Sequence, residues 1–282
     1  MVKINKKNII SFLLLIIIII LVFCLYNNTE KYTNNNINNS NNSNSDKLFK
    51  SLEVHDYPLQ NKLRLGEKGD GGYVIGDIGN IYDCYISAGI SNEESFTKDF
   101  ITKYNIDLFN CFAFDGTIDK YPYNYTKNIS FIKKNINNFN DENNTNLFSL
   151  IDKYNNIFLK MDIEGGEIPW ILSLNTEQLN KFKQIVIEFH GINDDTWNSS
   201  LNDKITCFEK LASTHYLIHA HGNNHSSTQN NIPDVIELTY IHKSLFNIKP
   251  KLNNTLLPIN NLDFPNKLGA NDINLSFYPF CH

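Results

Sequence analysis

From Lys47 to His282, short apolar runs alternate with amphipathic stretches, a pattern that predicts an α/β fold built on a mainly parallel sheet. Strands are expected over residues 81–88, 107–114, 129–133, 157–161 and 184–189. Helices are expected over 93–103, 147–154 and 203–213, and from Asp162 to about Asn180. Segments 216–220 and 235–241 close the pattern as a terminal strand pair, which makes seven strands. In such sheets ligands bind at the carboxyl ends of strands, where the strand order reverses. That rule singles out Ser87-Ala88-Gly89-Ile90, Asp115-Gly116, the stretch from Asp162 to Glu167, and Glu188-Phe189-His190.

The chain ahead of this domain reads differently. Residues Ile9 to Tyr26 carry no charge and include five consecutive isoleucines, Ile16 to Ile20, so they read as a helix just long enough to cross a bilayer. Lys3, Lys6 and Lys7 precede the run and only Lys31 closely follows it, which places the N-terminus in the cytosol. No small-residue cleavage site follows, so an uncleaved signal anchor is expected rather than a signal peptide. The expected segments are a cytosolic tail (1–8), a transmembrane anchor (9–26), a flexible Asn/Ser-rich stem (27–46) and a folded domain (47–282). This is a single-pass type II arrangement, with the domain in the endoplasmic reticulum or Golgi lumen or outside the cell. Acceptor sequons at Asn27, Asn38, Asn41, Asn124, Asn128, Asn143, Asn198, Asn224 and Asn253 would then be exposed to glycosylation.

Composition narrows the function. With 25 Lys and Arg against 30 Asp and Glu, the net charge is -5, and nucleic acid is excluded as an expected partner. Asparagine makes up about a sixth of the chain, so a scattered Asn carries little chemical information. Five cysteines do not form a disulfide framework at this length, although Cys207 and Cys281 are candidates to pair.

Gly89 follows the first strand where a backbone must come close to a bound cofactor. Asp115 ends the second strand, where such folds hold a ribose diol. The stretch Ser87-Ala88-Gly89-Ile90-Ser91-Asn92-Glu93-Glu94 is no pyrophosphate fingerprint, since it has a single glycine and two acids that repel phosphate. A cofactor with a ribose and no phosphate fits best, and S-adenosylmethionine is the common one. Ser87, Gly89, Asp115 and Asp162 are its expected contacts.

A resemblance points the same way. Arg64-Leu65-Gly66 with Asp70-Gly71-Gly72-Tyr73-Val74, then Ser87-Ala88-Gly89-Ile90, then Phe158 to Gly165 (FLKMDIEG), His219-Ala220-His221-Gly222-Asn223-Asn224 and Glu237-Leu238-Thr239-Tyr240 together resemble the FkbM-type and methyltransferase-like 24-type methyltransferase domains over about residues 51–282. The resemblance implies a Rossmann-like class I methyltransferase fold, with a mainly parallel seven-stranded sheet whose seventh strand is usually antiparallel. It implies no substrate. Residues 47–282 are then a methyltransferase-like domain, preceded by one transmembrane helix.

Asp162 and Glu164 end the fourth strand, and Glu188 and His190 end the fifth, so four ionisable groups are expected to surround an acceptor in one crevice. Methyl transfer to a hydroxyl of a glycan or small molecule needs a base, and neutral His190 is one candidate. The other is a divalent cation, magnesium or manganese, held by Asp162, Glu164 or Glu188. Helix initiation is the plain alternative for Glu164 and Glu167. His219, His221 and His225 match no strong zinc pattern and are expected to line the substrate mouth. Asp70-Gly71-Gly72-Tyr73 is either a turn or a cover over the crevice. Two further classes stay open: a metal-dependent type II glycosyltransferase, whose paired carboxylates hold a cation against nucleotide-sugar phosphates, and an inactive methyltransferase-fold binding module.

Overall fold

Seven of the strands pair into one mixed, mostly parallel sheet, and most of their residues are buried. The structure, a computed structural model, describes residues 44–122, 129–193, 195–197, 199–229 and 231–282. The expected anchor and the stem as far as Ser43 lie outside the described residues. Among the described residues no helix is long and apolar enough to cross a membrane.

In chain order the elements are β1 (Lys62–Leu65), β2 (Tyr73–Gly76), β3 (Cys84–Ala88), α1 (Ser95–Tyr104), β4 (Cys111–Phe114), β5 (Ser130–Ile132), β6 (Asn135–Ile136), β7 (Asn144–Thr145) and α2 (Phe148–Ile151). They continue with β8 (Ile157–Met161), α3 (Glu167–Ser173), α4 (Thr176–Leu179), β9 (Phe182–His190), α5 (Leu201–Thr214), β10 (His215–Gly222), β11 (Thr228–Gln229), β12 (Ile232–Pro233) and β13 (Val235–His242). The main sheet has the order β10-β13-β9-β8-β3-β4-β5. β3, β4, β5, β8 and β9 run parallel, while β13 runs antiparallel to both β9 and β10. After β3 the chain adds β4 and β5 on one side and β8 and β9 on the other, so the order reverses between β3 and β8. The crevice belongs at their carboxyl ends.

Both faces of the sheet are covered, as a parallel sheet requires. Successive residues alternate between two cores: Ile86, Leu159 and Ile187 pack with Trp170, Phe208 and Leu211, whereas Tyr85, Phe158 and Val186 pack with Phe96 and Phe100. Within the second core Phe100 lies 4.2 Å from Phe158 and 4.6 Å from Tyr85, centroid to centroid.

The helix expected from Asp162 to Asn180 is in fact two. α3 stops at Ser173, and Asn175 and Gln178 form a reciprocal capping box that starts α4. An N-cap side chain satisfies free backbone N–H groups only at a new helix start, so the asparagine breaks the apolar run. Cys207 and Cys281 do not pair, and Cys84, Cys111, Cys207 and Cys281 are all free thiols. Asn253 is buried and its amide donates to the carbonyls of Thr255 and Phe280, so this sequon is closed to glycosylation.

The small β1–β2 pair was not expected from the sequence, and it positions the Asp70 loop. Gln184 on β9 bonds both the N–H and the carbonyl of Gly76, at 2.8 and 2.9 Å, and the Thr239 hydroxyl of β13 donates to the Val74 carbonyl at 2.6 Å. The pair is thereby fastened across the sheet, and the loop 66–72 between its strands reaches the crevice.

Candidate functional site

Two adjoining cavities open at the carboxyl edge of the sheet. The first, about 500 Å³, lies beside Gly89, Ile90, Phe114, Asp115, Asp162 and Lys160. The second, about 470 Å³, lies beside Glu188, His190, Trp197, Asn223 and His225. Asp70, Asp162 and Glu164 line both. Each is large enough for a cofactor or a small acceptor.

Gly89 has φ +75°, and a Cβ there would overlap the Asp162 carbonyl oxygen. Glycine is required because the turns after β3 and β8 touch at this point. Lys160, the penultimate residue of β8, donates to the Gly89 carbonyl at 2.9 Å and lies 5.3 Å over the Tyr73 ring. It is buried, and it balances the buried Glu94 carboxyl. Burial raises the Glu94 pKa, and Lys160 and hydrogen bonds from Thr97, Tyr121 and Ser87 work against that rise.

Two expected cofactor contacts are otherwise engaged. The Ser87 hydroxyl donates to Glu94 at 2.8 Å and lines neither cavity, because β3 directs it to the buried side of α1. Asp115 does line the first cavity, and its carboxylate accepts four hydrogen bonds from its own chain. One oxygen takes the N–H groups of Ile90 and Ser91 at 2.9 Å each, and the other takes the N–H and hydroxyl of Thr117 at 2.7 and 2.6 Å. Burial alone would raise the Asp115 pKa, but these bonds outweigh it and lower it.

The second cavity holds the acidic cluster. His190 is buried, with Nδ1 3.3 Å from Glu167 Oε1 and Nε2 3.3 Å from Glu164 Oε2 and 3.9 Å from Glu188 Oε1. Glu167 is fully buried at the start of α3, where its carboxylate accepts from the N–H groups of Ile163 and Gly165. It thus favours the helix start, as read from the sequence, and also fixes the imidazole. Burial alone would make His190 less basic, but the hydrogen bond to Glu167 and the charges of Glu167, Glu188 and Asp162 raise its pKa to about 9. This shift disfavours the neutral His190 base expected from the sequence, since an imidazole carrying both protons has no lone pair to accept another.

The two inner carboxyls shift the other way. Burial raises Asp162 to about 6, against the pull of Lys160 and His190. Glu188 is raised well above its ordinary range by burial and by Asp162 and Glu237. Glu188 accepts from the Asn223 amide at 2.7 Å and, at 3.4 Å, from the Tyr73 hydroxyl. Asp162 Oδ1 is withdrawn from solvent and has no hydrogen-bond partner. One ligand atom each from Asp162, Glu188 and His190 fit within 4.8 Å of one another.

Trp197 flanks this cluster, 40 % exposed, with its indole 4.9 Å from the His190 ring and a φ of +53°. Gly191 beside it, at φ +65°, leaves the space that the indole fills. A tryptophan held in the left-handed region is a backbone outlier of the kind that functional sites retain.

The expected histidine lining is corrected. His219 and His221 are buried away from the mouth: His219 Nε2 lies 2.8 Å from Asp263, and His221 sits between Glu237 at 3.1 Å and Asp272 at 3.0 Å. A bulge between Leu217 and His219 and the chain 263–272 packed over β10 enclose them. His225 and Asn223 are the residues at the mouth. Asp70 reaches both cavities, so the DGGY segment does cover the crevice. Sequence reading missed Trp197, and it named Lys160, Tyr73 and Asn223 only within motifs, without a role at the site. Lys160 carried a usable signal, a charge inside a five-residue buried strand.

No family model, no curated protein and no solved structure matches the chain.

Proposed function

We propose that the domain is an S-adenosylmethionine-dependent methyltransferase that modifies a hydroxyl of a carbohydrate or small-molecule acceptor at the second cavity. The observation that carries this reading is the charge of the first cavity. Asp70, Glu93, Asp115, Asp162 and Glu164 line it against Lys134 and Lys160, an acidic setting that attracts a sulfonium and an ammonium and repels a diphosphate. A nucleotide sugar, the ligand of the glycosyltransferase reading, would need a cation between its diphosphate and these carboxylates. The antiparallel β13, last of the main-sheet strands in chain order, supports the class I methyltransferase resemblance.

When bound, the cofactor supplies an electrophilic methyl: the acceptor oxygen forms the C–O bond as the S–C bond breaks, and that bonding pair stays on sulfur. Asp115 receives the ribose, with the Thr117 side-chain hydroxyl turning away, because it alone of the four donors can rotate. Trp197 offers its exposed face to the acceptor. Glu164, 73 % exposed at the junction of the cavities, takes the hydroxyl proton and passes it to solvent.

Calorimetry on the full chain in detergent tests the first step. Saturable S-adenosylmethionine binding is expected, weakened in Asp115→Ala by roughly the 1.5–3 kcal/mol of a lost charged hydrogen bond. No binding at millimolar cofactor would favour the inactive binding module instead. Transfer of a radioactive methyl to a panel of glycans and small alcohols then identifies the acceptor.

A further inference from the structure

We propose that Asp162, Glu188 and His190 form a binding site for a divalent manganese ion. Three observations converge. The ligand atoms lie within 4.8 Å of one another. Ligands about 2.1 Å from a common ion stand between about 3 and 4.2 Å apart, so side-chain rotations of a few tenths of an ångström complete the site. Asp162 Oδ1 is buried with no partner, although a carboxylate oxygen in such a place ordinarily accepts at least one hydrogen bond. A cation supplies the missing partner.

The surroundings of His190 are those of a metal ligand, and coordination through Nε2 releases the proton that the metal-free ring carries there. Glu167 takes up Nδ1 at 3.3 Å and is itself held by backbone N–H groups, so the ring is oriented with Nε2 facing Glu164 and Glu188. A carboxylate behind a histidine is the usual support for a coordinating imidazole. Asn223 orients Glu188 in the same way, at 2.7 Å. Two carboxylates and an imidazole favour manganese over magnesium, which prefers oxygen ligands and retains its waters. The remaining positions face the second cavity, where an acceptor hydroxyl can enter. The ion's role, lowering the pKa of that hydroxyl, rests on the methyl-transfer reading, whereas the site itself does not.

The test is titration of the metal-free full chain in detergent with manganese alone, followed by the electron paramagnetic resonance signal of the free ion. Loss of one equivalent of signal is expected. Uptake should disappear in Asp162→Asn and in Glu188→Gln, both near-isosteric, with folding checked by circular dichroism. Glu167→Gln, which touches no proposed ligand atom but alters the support of His190 and the cap of α3, should weaken uptake by about 10- to 100-fold with the fold intact by circular dichroism. No uptake at millimolar manganese, or uptake unchanged in all three variants, overturns the proposal. Calorimetry with S-adenosylmethionine on the same preparation separates the two readings. Cofactor binding without manganese uptake removes the ion alone, and manganese uptake without cofactor binding removes the methyltransferase.

Discussion

Two histidine–carboxylate clusters lie on neighbouring strands of this sheet, with Glu188 of β9 directly paired to Glu237 of β13. They are nearly alike in composition and opposite in state. Around His221 the carboxylates are held by partners: Glu237 accepts from His221 and from the Asn266 amide, and Asp272 closes the far side of the ring. Around His190 they are not. Asp162 keeps an unpartnered buried oxygen, Glu188 is pushed toward its protonated form, and both face cavities. The same residue types thus fasten a fold when enclosed, and store unfavourable charge when left open to a ligand.

The sharpest way to break this comparison is His221→Ala. Removing it leaves Glu237 buried and Asp272 partly buried without their cation, and a loss of about 3–5 kcal/mol in unfolding free energy is expected from denaturant titration. A loss below about 1 kcal/mol would mean that the enclosed cluster does not support the fold.

Acid tests the enclosed side next. His215 starts β10, fully enclosed, and burial lowers its pKa from 6.5 to about 3. The unfolded chain therefore binds a proton that the folded chain refuses, so this stabilisation is present above pH 6.5 and is lost as the pH falls toward 3. A few kcal/mol should vanish across that window in thermal melts, and His215→Gln should flatten the dependence.

On the open side, Trp197→Ala should leave the melting temperature nearly unchanged and lower kcat/KM for a carbohydrate acceptor by about tenfold, the effect of one lost stacking contact. Equal kinetics in both proteins would remove the indole from the acceptor site. The smallest expected effect has the opposite sign: Glu188→Gln keeps an acceptor for Asn223 and removes the cost of burying an ionisable carboxyl in the open cluster. The metal-free protein should gain about 1 kcal/mol, as substitutions at function-bearing sites often do. A clear loss in differential scanning calorimetry would show that Glu188 is structural, like Glu237.

Much of the frame was legible in the sequence. β8 and β9 could be read because a strand buried on both faces is mostly apolar, and Asp162-x-Glu164 and Glu188-x-His190 stood out as the polar residues at the ends of those runs. β1 and β2 were not legible, since KLRL carries two charges and YVIG follows the glycine-rich stretch 66–72, so neither stands out as an apolar run. The tail beyond residue 245 shows no periodicity either, yet it supplies Asp263 and Asp272, which meet His219 and His221 from 44 and 51 residues away.

The sequence by itself determined the alternation of strands and helices, the carboxyl-edge position of the acidic residues, and the glycine at 89. These depend on local burial and on steric limits at single residues. Tertiary structure alone decided that His190 lies against Glu167, which raises its pKa, that Ser87 turns to Glu94 while Lys160 takes the Gly89 carbonyl, and that His219 and His221 are sealed. Protonation state and pairing depend on distances between residues that are remote in the chain, and those distances exist only once the strands are laid side by side.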